Sequence, residues 1–212
     1  MKLTTFINLS GGVDSTYYLW RWLTENPTET ILVHHCLFFK SRVKEEKRAV
    51  DDILGYLRKQ GLTNFKYVET GMQKGTLTGR VIDIEALSSI SAVVIKCHTP
   101  IKNVLLSYCA EECPQLSQHL KTKGIDTFSP SHRYSRVNRV LETITERSFS
   151  YLCYHGKDGG LMSKKEMIET MPQELLEMTW FCREPRGGKP CGDCFNCKRC
   201  MPAIRKRKNE GI

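Results

Sequence analysis

The sequence predicts an α/β fold, a parallel sheet flanked by helices, with a cysteine-rich segment at the C-terminal end. Three observations carry this. Between Leu3 and Thr70, apolar runs of strand length alternate with amphipathic runs of helix length. The first strand passes into a helix through Ser10-Gly11-Gly12-Val13-Asp14-Ser15, and five of the ten cysteines fall between 182 and 200. Strands that alternate with helices of this length build parallel βαβ units. A chain of 212 residues is long enough to bury a core, as one domain or one domain with a small appendage.

Residues 3–9 alternate and then run apolar, as a buried strand does. Ser15 to Glu25 is a helix with Tyr18, Leu19, Trp22 and Leu23 on one face, stopped by Asn26-Pro27. Thr30 to Phe39, rich in β-branched and aromatic residues, is a second strand. Lys44 to Gln60 is a long amphipathic helix with Gly61 just past its end, and Phe65 to Thr70 is a third strand. Gly71 to Gly79, with three glycines, reads as a loop, and Ile82–Leu87 and Ala92–Cys97 fit either strand or short helix. Asn103 to Cys113 reads as a helix ended by Pro114. Thr122 to Tyr134 is expected to hold a short strand and a polar loop, Arg136 to Arg147 a helix, and Phe149 to His155 a last strand. Ser163-Lys164-Lys165-Glu166 has the spacing of a capping box opening another helix. After Trp180 the regular pattern ends.

Net charge is +9, which favours anionic partners such as nucleotides, phosphates or nucleic acid. Part of the excess is local: Lys198, Arg199, Arg205, Lys206, Arg207 and Lys208 crowd the last fifteen residues, the pattern of a disordered solubilising end. No stretch approaches the roughly 18 apolar residues of a membrane span, and the N-terminal residues show no apolar signal-peptide core. The expectation is a cytoplasmic protein with no membrane association, whose cysteines act as thiols and thiolates rather than disulfides. Cys36, Cys97, Cys109, Cys113 and Cys153 lie in apolar segments, where cysteine behaves as a small hydrophobe.

In open α/β sheets ligands bind where strand hands over to helix, and Ser10–Ser15 occupy that place after the first strand. Gly11 and Gly12 let backbone N–H groups approach an anion without an intervening Cβ, and the next helix points its positive end at the same spot. Ser10 and Ser15 add hydroxyls, and Asp14 is placed to hold Mg²⁺ against phosphate oxygens. Neither G-x-x-x-x-G-K-[ST] nor G-x-G-x-x-G occurs. A tight S-G-G-x-D-S without lysine resembles the PP-loop of the ATP pyrophosphatases, which split ATP between the α and β phosphates and transfer AMP.

At the other end Cys191, Cys194 and Cys197 are spaced C-x-x-C-x-x-C, with Cys182 before them across a Pro/Gly-rich loop. Four thiolates at about 2.3 Å form a closed tetrahedral Zn²⁺ site that can pin a segment too poor in apolar residues to fold alone. Cys200 extends the series and competes with Cys182 as fourth ligand. Adjacent C-x-x-C steps crowd a mononuclear tetrahedron, which favours Cys182, and zinc is favoured over an iron–sulfur cluster.

Loop and cluster together resemble the 7-cyano-7-deazaguanine (preQ0) synthase family. Thr179-Trp180-Phe181-Cys182 and Pro190-Cys191-Gly192-Asp193-Cys194-Phe195-Asn196-Cys197 resemble its T-W-S-C-Y and P-C-G-x-C-x-x-C motifs. Ser163–Ile168 is similar to its S-K-x-E-I-I segment, and Pro100-Ile101-Lys102-Asn103 to its P-x-R-N motif with lysine for arginine. The middle diverges: Phe38-Phe39-Lys40-Ser41-Arg42 stands where the family has Y-G-Q-R-H, and Asp126–Tyr134 where it has a Gly/Asp-rich loop and Y-P-D.

The resemblance implies a divergent member with a Rossmann-like, adenine nucleotide alpha hydrolase-like domain over 1–178, a four-cysteine zinc-binding segment over 179–202 and a basic tail over 203–212. It implies an ATP-dependent ligase, binding ATP on Ser10–Ser15 with Mg²⁺. The enzyme adenylates the carboxylate of 7-carboxy-7-deazaguanine, then uses ammonia to form the amide or, after a second activation, the nitrile, for 7-deazapurine nucleic-acid modification such as queuosine. Lys102 and Lys164 are candidates for neutralising phosphate charge beside Ser10, Asp14 and Ser15. Arg42, His132 and Arg133 are candidates for phosphate or substrate contact, while His34 and His35 are expected to pack within their strand. Rival readings are a PP-loop tRNA thiolase with an iron–sulfur cluster, a non-catalytic nucleotide- or deazapurine-binding protein, and a ligase joining the carboxylate to another amine. Direct nucleic-acid binding is the weaker alternative to a small-molecule substrate, and the family often forms homodimers.

Overall fold

The period-two patterns of the first strands translate directly into two cores. In β1 (Leu3–Asn8) and β2 (Thr30–Phe38), Phe6 and Leu32 face one side of the sheet, while Ile7, Ile31 and Val33 face the other. The computed structural model describes residues 3–38, 42–72, 83–98, 100–123 and 133–210. Within them α1 (Val13–Glu25), α2 (Val43–Lys59), β3 (Phe65–Met72), α3 (Asp83–Cys97), β4 (Asn103–Leu105), α4 (Pro114–Lys123), α5 (Arg133–Thr145), β5 (Ser150–Leu152), α6 (Lys164–Thr170), α7 (Gln173–Glu177) and α8 (Phe195–Glu210) follow in order.

The five strands are all parallel, in the order β3-β2-β1-β4-β5. This is a Rossmann-like α/β sheet with helices on both faces. Residues of α1, α2, α6, α7 and α8 share one buried cluster with Ile7 and Val33. Those of α3, α4 and α5 share the other with Phe6 and Leu32. The chain reverses direction across the sheet between β1 and β4, so the crevice expected to take ligands lies past the C-terminal ends of those two strands. Among the described residues no helix is long and apolar enough to cross a membrane.

Two sequence expectations are corrected around β4. Asn103–Cys113 is not a helix: Val104 and Leu105 are inserted as a short strand beside β1, with β5 on their other side. Pairing on both edges outweighs a local helical preference. Pro114 opens α4 rather than ending a helix, since a first-turn position needs no N–H from it. The two ambiguous stretches at 82–87 and 92–97 belong mostly to one helix, α3. The basic tail is also ordered: α8 runs through 203 to Glu210, Ala203 and Ile204 pack against the core, and the buried Arg207 guanidinium donates to the Ile168 carbonyl. The expectations for Phe39–Ser41, for most of the loop at 71–79 and for Asp126–His132 lie outside the described residues.

Two contacts matter for the site. The hydroxyl of the fully buried Tyr18 donates to the Tyr108 carbonyl at 2.9 Å and accepts from the Tyr154 N–H at 3.2 Å, tying α1 to the segments after β4 and β5. The predicted capping box is present: Ser163 Oγ accepts from the Glu166 N–H and Glu166 accepts from the Ser163 N–H, so α6 begins at Lys164.

Candidate active site and cysteine centre

β1 ends at Asn8, and the turn after it is held by its own serines. The Ser10 N–H donates to Ser15 Oγ at 3.1 Å, the two hydroxyl oxygens lie 3.1 Å apart, and the Gly12 N–H donates to Ser10 Oγ at 3.3 Å. Gly11 has φ +75°, and a Cβ there would come within 3.1 Å of Ala49 Cβ and of the Glu46 carbonyl oxygen. Only glycine suits that position, because left-handed backbone disfavours a Cβ and α2 leaves it no room. Among the described residues no side-chain hydrogen bond caps α1, whose N-terminal end carries the helix's partial positive charge.

Asp14 lies in that first turn. Its Oδ2 is 3.0 Å from Lys164 Nζ, which is also 3.1 Å from Glu112 Oε1. The Lys164 backbone N–H donates to both carboxylate oxygens of Glu111 at 3.0 Å. Burial disfavours a charge on Lys164, which is only 6% exposed, but the adjoining acids outweigh it and hold the ammonium firmly protonated. Burial pushes the Asp14 carboxyl up to about 6, against the pull of Lys164. Its Oδ1 is buried with no hydrogen-bond partner among the described residues. Asp14, Cys109 and Glu112 bring one ligand atom each within 4.8 Å of one another. Burial raises the Cys109 thiol far above its ordinary range, so a hard cation would find only the two carboxylates there.

Two cavities flank the loop. One, of about 170 Å³, is lined by Ser10, Gly12, Asp14, Glu112 and Lys164 and by Trp180–Arg183. The other, of about 180 Å³, lies past β2 and is lined by Leu9, His35, Phe38 and Leu87, among others; Ser10, Arg42 and Glu46 border both. Arg42 thus stands beside the loop, in an ion pair with Glu46.

The Sγ atoms of Cys182, Cys191, Cys194 and Cys197 lie within 4.8 Å of one another, a set that can hold a metal such as zinc. Cys182 Sγ accepts from the Cys191 N–H and Cys191 Sγ from the Cys194 N–H, both at 3.3 Å, which suits thiolates. Gly192, at φ +80°, provides the sharp turn between Cys191 and Cys194. Cys200 is not in the group; it is fully buried in the core beside α6, where burial pushes its thiol up to about 12. The two centres touch, since the Trp180 N–H donates to the Gly11 carbonyl at 2.8 Å, two residues before the first cysteine of the set.

The structure therefore brings together Ser10, Gly11, Gly12, Val13, Asp14, Ser15 and Lys164, with Cys182 close by. It does not bring Lys102. That residue is exposed just before β4, its N–H bonded to the Thr4 carbonyl, at the opposite end of the sheet from the loop. Parallel pairing of Thr5 with Asn103 fixes it there. Arg133 opens α5, and His132 lies outside the described residues. Sequence reasoning missed Glu111 and Glu112, two adjacent acids inside an expected helix with no motif to mark them, and the Trp180–Gly11 bond, which no spacing encodes.

No protein-family model matches the chain, and no curated protein sequence matches it. Among solved structures it is similar to NMN synthetase from Francisella tularensis, at 13% sequence identity and a TM-score of 0.39, covering 100% of this chain and 87% of that one.

Proposed function

We propose that this chain is an ATP-dependent, AMP-forming carbon–nitrogen ligase acting on the carboxylate of a 7-deazaguanine, with 7-carboxy-7-deazaguanine and ammonia as substrates. The observation that carries the reading is the serine-braced Gly11–Gly12 turn facing the Asp14–Lys164–Glu112 cluster. The triphosphate lies along the turn and the α1 N-terminus, and the base in the cavity past β2. A substrate carboxylate oxygen attacks the α-phosphorus, and the bond from that phosphorus to the bridging oxygen breaks, releasing pyrophosphate. Ammonia then attacks the acyl carbon of the adenylate, AMP leaves, and the nitrogen loses a proton to give the amide. A second activation of the amide oxygen by ATP, followed by loss of AMP and protons, gives the nitrile.

Little general-base work is needed, because a carboxylate is already a nucleophile. The chain's contribution is positioning and charge. Backbone N–H groups of the first turn of α1 hold phosphate oxygens, and Lys164, a buried cation, offsets charge developing on the α-phosphoryl group. Asp14, whose Oδ1 has no hydrogen-bond partner among the described residues, and Glu112 are the residues that would hold Mg²⁺, which when bound would supply neutralisation of phosphate charge. The four grouped cysteines would hold Zn²⁺ as a structural cross-link.

The test is to incubate the metal-loaded protein with Mg-ATP, ammonium and 7-carboxy-7-deazaguanine. Pyrophosphate and AMP are assayed, and the product's mass is read. Substrate-dependent AMP with a product mass of amide or nitrile supports the reading. Release no greater than in the substrate-free control overturns it. Metal analysis after anaerobic purification separates the rival thiolase, which requires about four irons per chain rather than zinc.

A further inference from the structure

His34 and His35 are neighbours in β2, both buried, yet their rings are satisfied differently. His34 Nδ1 lies 2.8 Å from Asn8 Oδ1 and its Nε2 2.8 Å from Thr70 Oγ1, so both nitrogens are met inside the protein. His35 Nδ1 lies 2.8 Å from the Leu9 carbonyl oxygen. A carbonyl only accepts, so this nitrogen carries a proton, and in that tautomer Nε2 is an acceptor. That Nε2 is buried and has no hydrogen-bond partner among the described residues, although His35 is only 2% exposed. Buried acceptors are rarely left unmet, and one that is calls for an explanation.

His35 lines the cavity past β2, where Leu9, Phe38 and Leu87 supply apolar wall and Ser10 connects to the loop. An apolar-walled cavity beside an anion cradle suits a base joined to phosphates. The one polar demand His35 makes of an occupant is a hydrogen-bond donor. We propose that His35 is a base-specificity residue, its Nε2 accepting from the exocyclic amine of a 6-aminopurine and thereby selecting adenine over 6-oxopurine nucleotides. A 6-oxo group turns a second acceptor toward the same lone pair, and a site built around one hydrogen bond rejects analogues that cannot make it. This inference rests on the nucleotide reading above.

Calorimetric titration of the full-length, metal-loaded protein with Mg complexes of ATP, ITP, GTP and purine riboside triphosphate tests it. The expected result is ATP bound about tenfold or more tighter than ITP and GTP, with the 6-unsubstituted purine in between. His35→Asn keeps an N–H for the Leu9 carbonyl and deletes Nε2. The ATP-to-ITP ratio should then fall to within about twofold, with an unchanged circular dichroism spectrum and melting temperature. Equal wild-type binding of ATP and ITP, or a folded His35→Asn protein that keeps the wild-type ratio, overturns the assignment of His35 and leaves the nucleotide reading standing. Wild-type protein that binds none of the four nucleotides overturns both. The wild-type series alone decides if the variant fails to fold.

Discussion

The Gly11–Gly12 turn and the cysteine segment are both short, glycine-bearing and poor in apolar side chains, yet they are fixed by different physics. The turn leans on a finished core. Gly11 sits against Ala49 and the α2 backbone, β1 sets its start, and serine hydroxyls close it. The segment from Cys182 to Cys197 has exposed residues from Arg183 to Pro190, apart from Pro185, and no comparable apolar support. What it has instead is four sulfurs gathered within 4.8 Å of one another. One region borrows its order from packing, the other gathers sulfurs that can take a metal, and the Trp180–Gly11 hydrogen bond joins them. The cavity beside the turn is thus only partly built by the α/β sheet; its other wall is Trp180–Arg183, which leads into the cysteine group.

The comparison breaks most visibly at the cysteines. Structural zinc contributes on the order of 10 kcal/mol of apparent binding free energy in small zinc-dependent folds, so Cys191→Ser or chelation should undo the segment. Elemental analysis should fall from about one zinc per chain to near zero, and ATP affinity should weaken about tenfold through the lost Trp180 contact. Unchanged ATP affinity in zinc-free protein would show that the two regions are independent.

Next in size is Lys164→Met, which leaves Asp14 and Glu112 facing each other without their cation. Removing one partner from a buried charge cluster costs about 3–5 kcal/mol, measurable by urea unfolding. AMP formation should fall by about a hundredfold. Adding Glu112→Gln should recover part of the stability and none of the activity, which separates the structural from the catalytic share.

A third effect belongs to the sheet beneath the turn. Burial lowers His34 to about 4 from its ordinary 6.5. Between those values the unfolded chain takes up a proton that the folded chain refuses. His34's contribution is therefore complete above pH 6.5 and is lost as pH falls toward 4, by about 3 kcal/mol. Unfolding curves at pH 7 and pH 4.5 should show the loss, and His34→Gln should flatten it. The smallest effect is that of Lys102→Ala, which should change stability by less than about 0.5 kcal/mol and ATP affinity not at all, because the residue is exposed at the far end of β4.

Much of the fold and part of the site were legible beforehand, for identifiable reasons. β1, β2, α1 and α2 carry strong periodicity because each buries one face or both against the sheet. Ser163-x-x-Glu166 is a local motif and closes as a local motif should. Three-residue β4 was illegible because its pairing, not its own propensity, makes it a strand. The α8 extension was misread because lysines and arginines on a helix look like a loose tail unless one knows that Ala203, Ile204 and Arg207 meet the core. Glu112 has no signature at all; it matters through its distance to Lys164, fifty-two positions away along the chain.

By itself the sequence determined the alternation of strands and helices, the Gly–Gly turn after β1 and the cysteine spacing. Each of these is a short-range pattern, set by side-chain period, backbone freedom or ligand reach within a few residues. Only the tertiary structure decided that Lys102 is at the wrong end of the sheet, that Cys182 rather than Cys200 joins the sulfur group, that Glu112 completes the Asp14–Lys164 cluster, and that His35 keeps an unmet acceptor beside the loop. These are facts about separation in space between distant positions, and chain entropy leaves them open until strand pairing and core packing fix them.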